Sequence, residues 1–176
     1  KAYGSSVRYR LMFQNEKGFA IGVNLILVPA SVSTLGTSGP EGVNLIVTKE
    51  SEDKLYTRCV VNNAAYDYYE RCSSDDLDIT PPSGGLRIWI FRSLVASSAV
   101  MMHQGAVVSL GAITEFLGSY AFLVKFFAPD ITVGAKGKNE LGDLYAVTAH
   151  ELAHASHFEK VGTIYWNPYV RFILES

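Results

Sequence analysis

The sequence predicts an α+β protein, and three observations carry that expectation. Residues 7–13 alternate in the two-residue period of a strand, residues 55–72 recur at helical spacing, and a second helical run covers 143–160. Strand-like runs rich in Ile, Val and aromatic residues stand between the two helical runs, at 86–91 and 130–133. A chain of 176 residues has room for one sizeable core or two small ones. Its 48% hydrophobic and 18% charged residues read as a folded protein. A net charge of −2 offers no basic surface to a nucleic acid, so no such partner is expected.

Residues 1–57 read as a β-rich segment, either the end of a sandwich or lead-in strands. Val7, Tyr9, Leu11 and Phe13 share one face of a strand, and Asn15-Glu16-Lys17-Gly18 is a turn into a second run over 19–28. The two runs have the makings of a hairpin. Gly36 to Gly42 reads as a loop and Val43 to Thr48 as a further short strand. From Leu55 to Cys72 the period changes, with Val60, Val61, Ala64, Ala65, Tyr68, Tyr69 and Cys72 on one side of an amphipathic helix. Thirteen residues of helix separate Cys59 from Cys72 by about 20 Å, too far for a disulfide between them. The tyrosines at 66, 68 and 69 are read as packing residues.

Ser73 to Asp78 is a solvated turn without calcium-loop spacing. Pro81 to Gly85 turns the chain into the strand Leu86 to Phe91. Residues 94–128 are largely apolar, but Glu115, Lys125 and recurrent glycines interrupt them, so no transmembrane segment is expected. Buried strands or a core helix are expected there instead, with Leu123 to Phe127 as one strand. His103 reads as a lone structural or surface histidine. Asp130, Ile131, Thr132 and Val133 form a strand after Pro129, and Gly134 to Gly142 is a loop. Asp143 is the expected N-cap of the next helix and Gly162 its expected stop.

That helix contains His150-Glu151-Leu152-Ala153-His154. Residues four apart stack on one helix face, so both imidazoles can close on one metal ion. Glu151, one step round, is placed to take a proton from a water that such an ion has made acidic. With four histidines in the chain, chance would produce this pattern about 0.005 times per chain. Glu151 is the only charged residue between Leu144 and Ala155, and an unpartnered carboxylate in so apolar a helix is costly. The competing reading is a helix whose histidines only pack or face solvent.

The segment resembles the active-site helix of zincin metallopeptidases. Their metzincin branch has a Gly and a third His further along, where this chain has His157 and Lys160. The gluzincin, thermolysin-like branch takes a Glu from a second helix about twenty residues on, and Glu175 follows His154 at that distance, after a helix start at Asn167-Pro168. The resemblance implies Zn²⁺ held by His150, His154 and Glu175, with Glu151 as general base. The alternatives are His157, a residue outside this chain, or no third ligand. From a straight helix, however, His150 and His157 stand roughly 10 Å apart along the axis.

The resemblance further implies a zincin-like metallopeptidase domain over 58–176 that acts on a peptide or protein substrate. The strand Asp130–Val133 would be its substrate-pairing edge, His157 a substrate-facing residue, and Tyr165 or a residue beyond Ser176 the oxyanion donor. The chain opens on Lys and closes within a helical pattern. An excerpt of a longer protein is therefore expected, truncated at its C-terminus, and the resemblance points to a secreted, periplasmic or cell-surface setting. The alternative is a non-catalytic cell-surface or carbohydrate-associated binding protein that retains the fold; an intact Glu151 speaks against it.

Overall fold

Phe19 and Ile21 have no solvent exposure at all, and satisfying that burial decides how the first third of the chain is arranged. The computed structural model describes residues 6–14, 16–22, 32–39, 41–74, 78–105, 129–138 and 140–175. The strands expected over 23–28 and 123–127, and the core elements expected within 106–128, lie outside the described residues. Strand β1 (Val7–Met12) and strand β2 (Phe19–Gly22) flank the expected turn at Gly18; residues 23–28, the rest of the second run of the expected hairpin, lie outside the described residues. Among the described residues the two runs meet at the antiparallel bridge between Gln14 and Ala20 and the bond from the Ile21 N–H to the Phe13 carbonyl.

β1 pairs antiparallel with β3 (Val32–Ser38), with an irregularity in register between Tyr9 and Arg10. The expected loop from Gly36 is therefore strand as far as Ser38. β2 joins a second sheet, parallel to β4 (Leu86–Phe91), where Phe19 and Ile21 sit beside Leu86 and Ile88. A mostly polar two-stranded ribbon could not have covered them.

A parallel pair needs a long crossover, and helix α1 (Lys49–Cys72) supplies it. It begins six residues earlier than its apolar period suggests, because Thr48 and Ser51 form a reciprocal capping box. The expected strand over 43–48 is instead an irregular lead-in that pairs with no strand among the described residues, with Val43, Leu45 and Ile46 exposed. The expected boundary at 57/58 falls inside α1, and β2 lies in the same sheet as strands from beyond that boundary. Of the expected helical stripe Val60, Val61, Ala64, Ala65, Tyr69 and Cys72 are buried and Tyr68 is half-buried, and both cysteines are free thiols. Arg58 ties the ribbon to α1, since its guanidinium lies over the Phe13 ring and donates to Ser33 Oγ at 2.6 Å.

The larger sheet runs β2-β4-β6-β5, with β5 being Ser98–Ala99 and β6 being Ile131–Gly134. β2, β4 and β6 are parallel and β5 is antiparallel to β6. Leu86, Ile88, Ile90, Ile131 and Val133 form the buried face of this sheet. Helices α1 and α2 (Leu141–Glu175) pack against each other and against its strands. Tyr68 Oη donates to Ser156 Oγ and Tyr145 Oη to Asp67, so the helix–helix seam is hydrogen-bonded as well as apolar. Among the described residues no helix is long and apolar enough to cross a membrane.

Candidate metal centre

The buried face of α2 is set by Leu144, Thr148, Leu152 and Ala155, spaced three and four apart. Thr148 returns its hydroxyl to the Leu144 carbonyl at 2.7 Å, which lets a polar residue sit in the core. The helix starts at Leu141, two residues before the expected cap, so Asp143 lies in the first turn, where a negative charge suits the helix dipole. With that phase fixed, His150 and His154 stand one above the other on the side turned towards β5. Their Nε2 atoms are 3.1 Å apart and the rings meet edge to face. Without an ion that distance is an N–H···N hydrogen bond, one ring donating and the other accepting.

Glu151 is 5% exposed. No hydrogen bond reaches its carboxylate among the described residues. Burial pushes its pKa above the ordinary carboxylate value, against a smaller opposing pull from His150 and Lys138. Burial also holds the His154 pKa below the usual imidazole value, and the neighbouring His150 and His157 add to that. His154 is thus inclined to the neutral state that a metal requires.

Gly162 breaks α2 with φ 71° and ψ 175°, a conformation foreign to other residues. The expected stop is therefore a fold-back, after which helix resumes. The expected start at Asn167 does not occur, and Pro168 lies inside the second helical half, where it forgoes one backbone bond. The fold-back brings Trp166 against His154, His157 and Phe158. Trp166, Tyr169 and Val170 then face Ser97–Val100 across a cleft of about 230 Å³ whose floor is His150, Glu151 and His154.

Glu175 is on this second half, five residues or about 7.5 Å of helix beyond Val170. Its side chain lies outside the described residues. Among the described residues no group of three or more His, Cys, Asp or Glu is placed to hold a metal ion, and the histidine pair is what the fold brings together.

Three sequence expectations change at this site. The strand Asp130–Val133 is not the cleft's edge: it is β6, interior to the sheet, with β5 paired on its outer side. Its Asp130, Ile131 and Val133 are buried and serve the core, and only Thr132 is partly open. His157 does not line the cleft; it stands outside, its ring meeting Trp166 and Tyr169 edge to face. Tyr165 is 72% exposed and points away, while Tyr169 lines the cleft. The residues that the sequence reading missed are Ser97–Val100, Trp166, Tyr169 and Val170. Trp166, Tyr169 and Val170 do form a three-four apolar spacing, but only the turn at Gly162 aims it at the histidines. No family model, no curated protein and no solved structure matches the chain, so its function is argued from this geometry.

Proposed function

We propose that the chain carries a zincin-like catalytic domain and is a zinc-dependent metallopeptidase. In this reading His150 and His154 hold Zn²⁺, Glu175 is the third protein ligand, and Glu151 is the general base. The observation that carries it is the pair of Nε2 atoms 3.1 Å apart beside a buried carboxylate. Two imidazole nitrogens, each about 2.0–2.1 Å from one ion in tetrahedral geometry, stand about 3.3 Å apart, so the pair fits. Three protein ligands would leave one position open, as catalytic sites do and closed structural sites do not. When bound, the ion supplies a Lewis acid that polarises a carbonyl oxygen and lowers the pKa of water.

The side chains supply the rest. Glu151 accepts a proton from the water that attacks the carbonyl carbon, and returns it to the amine nitrogen as the C–N bond breaks. Its raised affinity for protons makes it a better base than an exposed carboxylate. β5 pairs with β6 on one side, and its other side faces the cleft, where an extended peptide can add its backbone. Tyr169, with a hydroxyl on the opposite wall, is the candidate donor to the developing oxyanion.

The test is metal content by elemental analysis for the wild type, His150→Ala and Glu175→Ala, followed by a peptide-library cleavage screen. One zinc per chain, lost in both variants, is expected, with cleavage abolished but zinc kept in Glu151→Gln. A wild type that takes up no zinc on incubation would end the metallopeptidase reading. Zinc retained in Glu175→Ala would remove that residue from the ligand set.

A further inference from the structure

Metal-binding imidazoles are ordinarily held in place by a hydrogen bond from the ring nitrogen that does not face the ion. His154 departs from this. Among the described residues the single hydrogen bond to its ring is the one with His150, made by Nε2, the atom that faces the candidate ion. Among the described residues Nδ1 has no such partner. What abuts the ring instead is Trp166, 6.3 Å between centroids at 61°.

Trp166 is 1% exposed and fixed from several directions. Phe158 and Tyr169 meet its rings at 5.7 and 5.4 Å, and its indole N–H is directed at the Val100 carbonyl at 3.4 Å. Val100 follows β5 directly, at the rim of the same cleft. One side chain therefore touches both a proposed ligand and the segment that follows β5 on the facing wall.

We infer that Trp166 is the positioning residue of this site, its ring face setting the orientation of His154 and its N–H holding the Val100 segment in register with it. The inference rests on the metal reading above. It assigns separate tasks to two parts of one side chain, which a residue that merely fills the core would not have.

The experiment uses the whole chain and Zn²⁺ as the probe, with affinity measured by competition against a chromophoric chelator. Trp166→Leu is expected to weaken Zn²⁺ binding by roughly 10–100-fold, the usual cost of losing an outer partner of a ligand. Trp166→Phe, which keeps a ring but lacks the N–H, is expected to restore most of that affinity while backbone hydrogen exchange over 98–101 quickens. Trp89→Phe, away from the cleft, should change neither quantity.

Equal affinity in the wild type and Trp166→Leu would overturn the inference, as would a loss in Trp166→Phe as large as in Trp166→Leu. Should Trp166→Leu fail to fold, the Trp89→Phe protein decides, since Trp166 is then its sole indole. Co²⁺ must quench that emission, and an unquenched signal on a Co²⁺-loaded protein would overturn the placement. A wild type that binds no metal ends the reading and the inference together, whereas metal binding indifferent to Trp166 ends the inference alone.

Discussion

Asp130 Oδ1 accepts the backbone N–H of Gln104 at 2.8 Å, while Oδ2 accepts that of Arg87 at 3.0 Å. This carboxylate, 1% exposed, closes the turn that follows Met101 onto the start of β4. An amide in its place has one acceptor oxygen and turns an NH₂ towards a backbone donor. Asp130→Asn is expected to lower stability by roughly 1.5–3 kcal/mol, measured by urea unfolding, with zinc affinity unaltered. A loss of zinc affinity without a loss of stability would return Asp130 to the site.

Glu151 gives the opposite sign. Its folded pKa is raised above the ordinary value, so the folded chain holds the proton to higher pH than the unfolded chain does. Stability from this group is greatest below the unfolded value and declines as the pH rises through the folded one. Glu151→Gln is therefore expected to raise the stability of the metal-free protein at pH 7 by about 1 kcal/mol, or roughly 2–4 °C in Tm. The gain should shrink as the pH is lowered towards 4.5, and a gain that is constant with pH would contradict the burial argument.

Gly162 is a purely conformational requirement, because a Cβ there would meet nothing within 4 Å. Gly162→Ala is expected to cost about 1–3 kcal/mol through its φ of 71°. The strain falls at the turn that seats Trp166, so Trp emission should shift to longer wavelength as the indole gains water. A variant with wild-type stability would show that the backbone there relaxes freely.

What was legible in the sequence was local. The spacing of His150, Glu151 and His154, the burial of Glu151 among apolar neighbours, the helical stripe of α1 and the strand at 86–91 all depend on residues within a few turns of each other. What was not legible depends on partners far away. Phe19 and Ile21 look like half of a hairpin with residues 7–13 until Leu86 and Ile88 are known to lie beside them. Asp130–Val133 looks like an edge until the two residues of β5 are paired outside it. At Gly162 the sequence marks a break but not its direction, and the direction decides that Trp166 and Tyr169 face the cleft while Tyr165 faces solvent.

The brevity of β5 has a consequence for how this surface behaves in a crowded solution. An open sheet edge is a template for strands of other molecules, and long, flat edges are the ones that seed association. Among the described residues the edge beside the histidines offers two ladder residues, Ser98 and Ala99, and Met101 beyond them takes φ 61°. In the proposed peptidase reading, a flexible peptide would use such a short platform together with the opposite wall. The rigid edge of a second folded sheet would find no more than that two-residue platform, which makes this edge a poor template for stacking between copies.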